Sequence, residues 1–233
     1  MRPGFRWPSR SRARRTARWP CWWATSITAS IDPEGTTKMM QTAEMLKVFN
    51  RHRGDALVVP GRGGRFWVNI STQPSRDLPL GDPAMGGHAM FSLGLALARP
   101  KNKVVLFDSE GDVLMSMGVL PTIADLAPAN FYHFMLDNEC YATTGGQPVP
   151  NAKNVQYDMI AKGAGYKHTY AFASLEEFTG AIGDIMSLQG PVFCALKVVP
   201  EVINEAIGRR PRWNTRTKDQ VIADMRKELG IAG

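Results

Sequence analysis

Short apolar runs alternate with helix-like segments along most of this chain, and that alternation restricts its fold more than any other feature. The apolar runs have the length and the β-branched or aromatic character of buried strands, and they lie at 56–60, 104–107, 131–136 and 192–199. Segments of helical pattern or composition lie at 36–53, 85–98, 114–127, 176–188 and 218–229. Because strands that alternate with helices form βαβ units, we expect an α/β domain whose mainly parallel sheet has helices on both faces.

Positive charge is concentrated at the beginning of the chain. Seven of the 28 Lys and Arg residues lie within positions 1–31, which hold no acidic residue, and the other 21 balance the 21 Asp and Glu residues. Four of the six tryptophans also lie there. We therefore predict a disordered, Arg- and Trp-rich tail at 1–35 and one folded domain at 36–233. Such a tail suits nucleic acid, whereas the neutral domain argues against nucleic acid as a partner.

Cysteine content and hydropathy exclude several other classes. The three cysteines, Cys21, Cys140 and Cys194, lie far apart and form no C-x-x-C pair, which excludes a disulfide scaffold and a cysteine-based zinc site. No apolar run approaches the ~20 residues that a membrane-spanning helix needs. The sequence therefore predicts a cytoplasmic protein that has no contact with membranes.

Polar residues follow three of the predicted strands, at the edge of a parallel sheet where ligands bind. The first strand is followed by a glycine-rich turn that begins at Gly61, whose backbone N–H groups suit an anion. The second is followed by three carboxylates within residues 108–112, and the third by an Asp-Asn pair. A carboxylate at one strand end and an amide at the next can share one oxygen-liganded cation. The alternative, in which Ser109 or Asp112 caps a helix, stays open.

Two sequence segments at these strand ends resemble a motif of a known family. SEGDVLMSMG (109–118) and LDNECYATTGGQ (136–147) together resemble the metal–diphosphate motif of thiamine diphosphate enzymes, in which Gly-Asp-Gly is followed by Asn further along the chain. With MGGHAMFSLGLALA (85–98), the likeness is to sulfopyruvate and phosphonopyruvate decarboxylases over roughly residues 54–199. The resemblance implies the thiamine diphosphate-binding fold, in the form of its diphosphate-type module.

The resemblance also implies a cation site and a cofactor site. The metal ligands would be the carboxylate of Glu110, the amide of Asn138 and the backbone carbonyl of Cys140, with Mg²⁺ as the ion. Glu110 and Asp112 stand where the family has Asp and a small residue, so Ca²⁺, Mn²⁺ and the loss of metal binding all stay open. The implied cofactor-binding residues are Gly61, Met85, Gly111, Asp112, Val113, Asn138 and Tyr141.

All of the matched motifs belong to the diphosphate-binding half of such enzymes, which implies a β subunit. The aminopyrimidine site, and the Glu that starts ylid formation, would belong to a separate α-type subunit in a hetero-oligomer such as α2β2 or larger. The resemblance implies a lyase that decarboxylates a small 2-oxo acid, to which Thr143, Thr144 and Gln147 would present polar groups. Two alternatives stay open: a non-catalytic scaffold or regulatory subunit of such a complex, and a carboligase of the same family.

Overall fold

The computed structural model describes residues 39–79, 85–202, 205, 209 and 214–231. The tail predicted at 1–35 lies outside these residues, and its disorder stays a prediction. The folded domain predicted at 36–233 is described from Met39 onward.

A parallel sheet forms the centre of the described part of the chain. The strands are β1 (Leu57–Pro60), β2 (Val104–Ser109), β3 (Phe131–Asp137), β4 (Cys140–Tyr141), β5 (Gln147–Pro148), β6 (His168–Phe172) and β7 (Val192–Lys197). Five of them form one sheet in the order β1-β2-β3-β7-β6, and every neighbouring pair in it is parallel. The short strands β4 and β5 form an antiparallel hairpin directly after β3.

The helices cover the sheet on both faces, as the sequence predicts for an α/β domain. They are α1 (Thr42–His52), α2 (His88–Ala98), α3 (Glu110–Met115), α4 (Val119–Leu126), α5 (Tyr157–Gly163), α6 (Leu175–Ile185) and α7 (Lys218–Glu228). Helices α1 and α6 pack on one face of the sheet, and α2, α4, α5 and α7 pack on the other.

Both faces of the inner strands are buried, which explains why these strands read as continuous apolar runs rather than alternating patterns. In β2, Val105 and Phe107 join the core under α1 and α6, while Val104 and Leu106 join the core under α2 and α4. All seven residues of β3 are buried. The predicted fold class is therefore confirmed.

Several predicted bounds are wrong. The segment predicted as one helix at 114–127 belongs to two helices, since α3 ends at Met115 and α4 begins after Gly118. Helix α3 starts earlier than predicted, directly after β2, where Ser109 accepts the N–H of Asp112. Helix α1 begins at Thr42 rather than at 36. Helix α5 and strand β6 were not predicted. Strand β6 is a half-buried edge strand, so it lacks the continuous apolar run of the inner strands.

The register of the sheet brings the ends of its inner strands level with one another. Ser109 at the end of β2 lies opposite Leu136 of β3, and Asp137 at the end of β3 lies opposite Lys197 of β7. The residues that follow these strands consequently meet at one edge of the sheet. This edge is where a ligand is expected in an open parallel sheet.

Within the described ranges, none of the helices combines the length and the apolar character that crossing a membrane requires.

A buried ion pair fastens the end of α1 to the segment after β1. The guanidinium of Arg53 donates to Asp77 Oδ1 (3.0 Å), to the carbonyl of Ala56 (2.8 Å) and to Ser71 Oγ (2.9 Å). Both charged side chains are almost completely buried. Each charged side chain therefore depends on the other to offset the cost of its burial.

We expect Arg53→Ala to lower the free energy of unfolding by about 3–5 kcal/mol, because Asp77 would stay buried without its counter-charge. The matched control is Lys47→Ala, which removes an exposed ion pair with Glu44 and should cost less than about 1 kcal/mol. Urea unfolding of the two variants measures both values. Similar small losses would contradict the structural role of the buried pair.

Candidate active site

A cavity of about 420 Å³ lies at the carboxyl edge of the sheet. Its walls come from the segments that follow β1, β2, β3 and β7, together with the β4–β5 hairpin. Its volume is within the usual range for small-molecule sites. The predicted site residues that line it are Met85, Gly111, Asp112, Asn138, Cys140, Tyr141, Thr143, Thr144 and Gln147.

Glu110 lies directly behind the wall of this cavity. Its Oε1 accepts the backbone N–H groups of Asn138 (3.3 Å) and Cys140 (3.2 Å). The side-chain oxygen of Asn138 accepts the same N–H of Cys140 at 3.0 Å. Glu110 Oε2 is buried and has no hydrogen-bond partner. The structure thus brings the three predicted metal-binding residues together and leaves one buried carboxylate oxygen without a partner.

The surroundings of Glu110 disfavour its negative charge. Burial, and then the charge of Asp137, raise the pKa of Glu110 to about 8, although the backbone N–H donors act in the opposite direction. The carboxylate of Asp137 is itself paired with a lysine, because Lys197 Nζ lies 2.9 Å from its Oδ2. A carboxyl group buried in this way is stabilised by binding either a proton or a cation.

Asp112 is compensated by residues of the chain itself. Its Oδ1 accepts the N–H of Gly86 at 2.9 Å and lies 3.2 Å from Arg62 Nε. Its Oδ2 lies 3.7 Å from His88 Nδ1 and accepts the hydroxyl of Ser109 at 3.2 Å. Burial by itself raises the pKa of Asp112, but the contacts with His88 and Gly86 and the charge of Arg62 together hold it below its usual value. Asp112 is therefore ionised and paired.

The loop of the β4–β5 hairpin forms the polar side of the cavity. Thr143 Oγ1 accepts a hydrogen bond from Arg62 Nη1 at 3.2 Å, and Thr144 Oγ1 donates to Gln147 Oε1 at 3.3 Å. At the base of the loop, the ring of Tyr141 packs against Gly111, where an added Cβ would lie 3.1 Å from the ring. A glycine at 111 is thus required for the present position of Tyr141.

Two arginines contribute the positive charge of the cavity wall. Arg62 pairs with Asp112, and Arg65 pairs with Glu201. Among the described residues that line the cavity, the carboxylates are those of Asp112 and Glu201. Both lining carboxylates therefore belong to ion pairs.

A second cluster of polar side chains lies beside the site. Donor atoms of His88, Asp108 and Asp112 all lie within 4.8 Å of one another, a spacing that suits a cation. However, Asp108 Oδ2 lies 3.1 Å from His133 Nε2, and Asp112 pairs with Arg62. Because both carboxylates have partners within the chain, this cluster is better explained as support for the strand ends than as a metal site.

Two predicted cofactor residues do not line the cavity. A Cβ at Gly61 would lie 2.6 Å from the carbonyl oxygen of Phe107, so the glycine permits close packing of the turn after β1 against β2. Val113 is buried in the core on the side of α2 and α4. Their roles in cofactor binding stay predictions.

Sequence reasoning missed several residues of the cavity wall, among them Thr42, Val198, Val199 and Glu201. Three of them follow β7, and the rule that ligands bind beyond the carboxyl ends of strands would have found them. Thr42 opens α1, and nothing in its local pattern indicates a site.

Comparisons with known proteins connect this geometry to a family. Residues 69–196, more than half of the chain, match the family described as thiamine pyrophosphate enzyme, C-terminal TPP binding domain. The sulfopyruvate decarboxylase subunit beta of Methanothermobacter thermautotrophicus is 32% identical over 70% of this chain and 84% of its own length. The phosphonopyruvate decarboxylase of Streptomyces viridochromogenes is 35% identical over 66% of this chain and 38% of its own length.

Length and fold complete the comparison. The chain spans only about a third of the phosphonopyruvate decarboxylases that it matches, namely 31% of the one from Streptomyces hygroscopicus and 38% of the one above. A crystal structure from Mycobacterium smegmatis, assigned as a thiamin diphosphate-dependent enzyme, shares the fold with a TM-score of 0.60 at 19% identity. The matched region covers 70% of this chain and 32% of the chain from Mycobacterium smegmatis. Because the family match covers more than half of its length, this chain belongs to the thiamine pyrophosphate enzymes and contains their C-terminal TPP-binding domain.

Proposed function

We propose that this chain is the diphosphate-binding β subunit of a thiamine diphosphate-dependent 2-oxo acid decarboxylase. The observation that carries the proposal is the buried, unpartnered Oε2 of Glu110, held beside Asn138 and Cys140 at the wall of the cavity. The names of the relatives support the reaction, since they are sulfopyruvate and phosphonopyruvate decarboxylases.

The donor set fits a hard cation. A carboxylate oxygen of Glu110, the amide oxygen of Asn138 and the backbone carbonyl of Cys140 are all oxygen ligands, which Mg²⁺ prefers. A cation there would neutralise Glu110 and the cofactor diphosphate together, while Gly61, Gly111, Asp112 and Val113 are the proposed residues around the diphosphate. Thiamine diphosphate, when bound, supplies the electron sink that decarboxylation of a 2-oxo acid requires.

Other residues of the cavity would position the cofactor and the substrate. Met85 and Tyr141 present large side chains to the cavity and are proposed to hold the body of the cofactor. Thr143, Thr144 and Gln147 are proposed to bind the substrate, because they place hydroxyl and amide groups on the polar side of the same cavity.

A separate α-type subunit is part of the proposal. Among the described residues that line the cavity, both carboxylates are held in ion pairs. The resemblance to the two-subunit decarboxylases implies that another polypeptide would supply the carboxylate that exchanges protons with the cofactor. The chain covers 84% of a relative named subunit beta but about a third of the longer phosphonopyruvate decarboxylases. A hetero-oligomer of two α-type and two β-type subunits would provide the part that this chain lacks relative to the longer decarboxylases.

One observation favours a second candidate, a non-catalytic subunit of the same complex. Since the pKa of Glu110 is raised to about 8, its carboxyl is mostly protonated at neutral pH in the metal-free chain. A proton there competes with the cation. Cofactor titration of Glu110 variants separates the two candidates.

We expect Glu110→Gln to weaken the binding of thiamine diphosphate with Mg²⁺ roughly 10–100-fold, because the amide keeps the acceptor for Asn138 and Cys140 but loses the charge. Glu110→Asp keeps the charge and should bind within about tenfold of the wild type. Titration calorimetry of the complex with the α-type subunit measures both constants. Glu177→Gln, in the exposed first turn of α6, is the control. Equal affinities in the wild type and Glu110→Gln would refute the assignment.

The metal-free chain should also lose stability as the pH rises. A carboxyl whose folded pKa is about 8 holds its proton in the folded state where the unfolded state has already lost it, so ionisation above the unfolded pKa destabilises the fold. Between pH 6 and 9 the wild type should lose about 2 kcal/mol more than Glu110→Gln. Urea unfolding in the presence of a chelator gives both profiles, and parallel profiles would contradict this pKa.

A double-mutant cycle tests whether Arg62 neutralises Asp112. Arg62→Ala should weaken cofactor binding about tenfold or more, since the uncompensated Asp112 would repel the diphosphate. The double variant, which carries both Arg62→Ala and Asp112→Ser, should recover most of the lost cofactor affinity, because the two residues are coupled. If Arg62 instead binds the diphosphate itself, the second substitution will recover nothing.

A further inference from the structure

Glu139 has a backbone conformation that residues with a side chain rarely adopt. Its φ is 63°, in the left-handed region that favours glycine. Two other non-glycine residues of the described chain, Ala127 and Asn151, share this region, but Glu139 lies between two of the proposed metal ligands, Asn138 and Cys140. A strained conformation of this kind persists only where the surrounding structure holds it.

The conformation of Glu139 shapes the turn at residues 137–140, which contacts Glu110. In a turn with a left-handed residue, successive backbone N–H groups point toward the same side and bind anionic groups. The N–H groups of Asn138 and Cys140 both donate to Glu110 Oε1. The N–H group between them, that of Glu139, donates to Asp137 Oδ1 at 3.2 Å. The position of Glu110 and the direction of the Cys140 carbonyl therefore depend on the backbone of Glu139.

Lys197, at the end of β7, holds this turn through two of its side chains. Its Nζ lies 3.0 Å from Glu139 Oε1 and 2.9 Å from Asp137 Oδ2. The side chains of Lys197 and Glu139 are 25% and 29% exposed, so water screens the pair only in part. Burial lowers the pKa of Lys197, but the two carboxylates together raise it above its usual value. A charged ammonium group thus fastens the turn to an inner strand of the sheet.

We propose that Lys197 is a positioning residue, which keeps the turn at 137–140 in the form that presents Asn138 and Cys140 to the cation. The cation itself rests on the function proposed above. Among the described residues, the lining of the cavity includes neither Lys197 nor Glu139. The ion pair would therefore act on a bound ligand only through the backbone of the turn.

A purely electrostatic role of Lys197 would have the opposite effect. A positive charge near a bound cation repels it, so removal of that charge by itself should strengthen cation binding. If Lys197 instead holds the turn, its removal should weaken cation binding, because Glu139 would leave the left-handed region. The direction of the change in Lys197→Met thus distinguishes the two roles.

Substitutions of Glu139 test the turn without changing Lys197. We expect Glu139→Ala to bind Mg²⁺ about tenfold more weakly at saturating thiamine diphosphate, because alanine keeps the strain and loses the ion pair. Glu139→Gly loses the same ion pair but adopts the left-handed region freely, so it should bind within about threefold of the wild type. Titration calorimetry of the complex with the α-type subunit measures these constants. Equal Mg²⁺ affinities in the two variants would contradict the role of the turn.

The matched control is Asn151→Ala. Asn151 is exposed and has a φ of 56°, so the substitution places alanine in the same backbone region outside the proposed site. It should leave Mg²⁺ affinity unchanged. A loss equal to that of Glu139→Ala would show that strain anywhere in the chain lowers the affinity, and would overturn the proposal.

Substitution of Lys197 in two backgrounds completes the test. In the otherwise wild-type chain, Lys197→Met should weaken Mg²⁺ binding about tenfold. In the Glu139→Gly background it should cause no further weakening, because glycine keeps the turn without the lysine. Lys47→Met, which removes the exposed ion pair with Glu44, is the control. Equal weakening in both backgrounds, or unchanged or stronger binding in the otherwise wild-type chain, would overturn the proposal.

Amide hydrogen exchange in the metal-free chain separates this inference from the proposed function. The N–H groups of Asn138 and Cys140 should exchange about tenfold faster in Lys197→Met than in the wild type or in Lys47→Met. If the wild-type complex binds neither Mg²⁺ nor thiamine diphosphate, the proposed function fails, and the exchange rates still decide whether Lys197 holds the turn. Equal exchange rates in the wild type and Lys197→Met would overturn the inference whether or not the cofactor binds.

Discussion

The parallel pairing of β2 with β3 is the constraint on which the site depends. Their register places Ser109 opposite Leu136, so the residue after β2 and the residues after β3 leave the sheet side by side. Glu110, the first residue beyond β2, therefore reaches the backbone of Asn138 and Cys140 although they are 28 and 30 positions away. A shift of the register by one residue would move the side chains to the opposite face and separate these groups.

This arrangement collects four buried carboxylates at one edge of the sheet, which is costly unless each is compensated. Asp108 meets His133, Asp112 meets Arg62, and Asp137 meets Lys197. Glu110 differs, because its partners are backbone N–H groups on one oxygen only and its other oxygen has none. Three of the four carboxylates are thus paired with side chains of the chain itself, and the fourth, Glu110, is left for a ligand to compensate.

Helix α2 has apolar side chains on its outward side as well as on its inner side. The inner side of α2 fills the core between the sheet and α4, and that role explains Ala89 and Leu93. It does not explain Met90 or Leu97, whose side chains gain nothing by facing water.

The sequence by itself determined the fold class and named nine of the residues that line the cavity. Uninterrupted apolar runs are sufficient evidence for strands buried on both faces, and polar residues directly after such strands must gather at the same edge of a parallel sheet. It could not reveal β6, whose edge position leaves it half buried, or the start of α3 directly after β2, which depends on the cap at Ser109. Tertiary structure alone decided that Arg62 neutralises Asp112, since the two are fifty positions apart and meet only when β1 lies beside β2. It also decided which side of the uncharged helix α2 remains exposed, because its composition is apolar all around and burial depends on its neighbours.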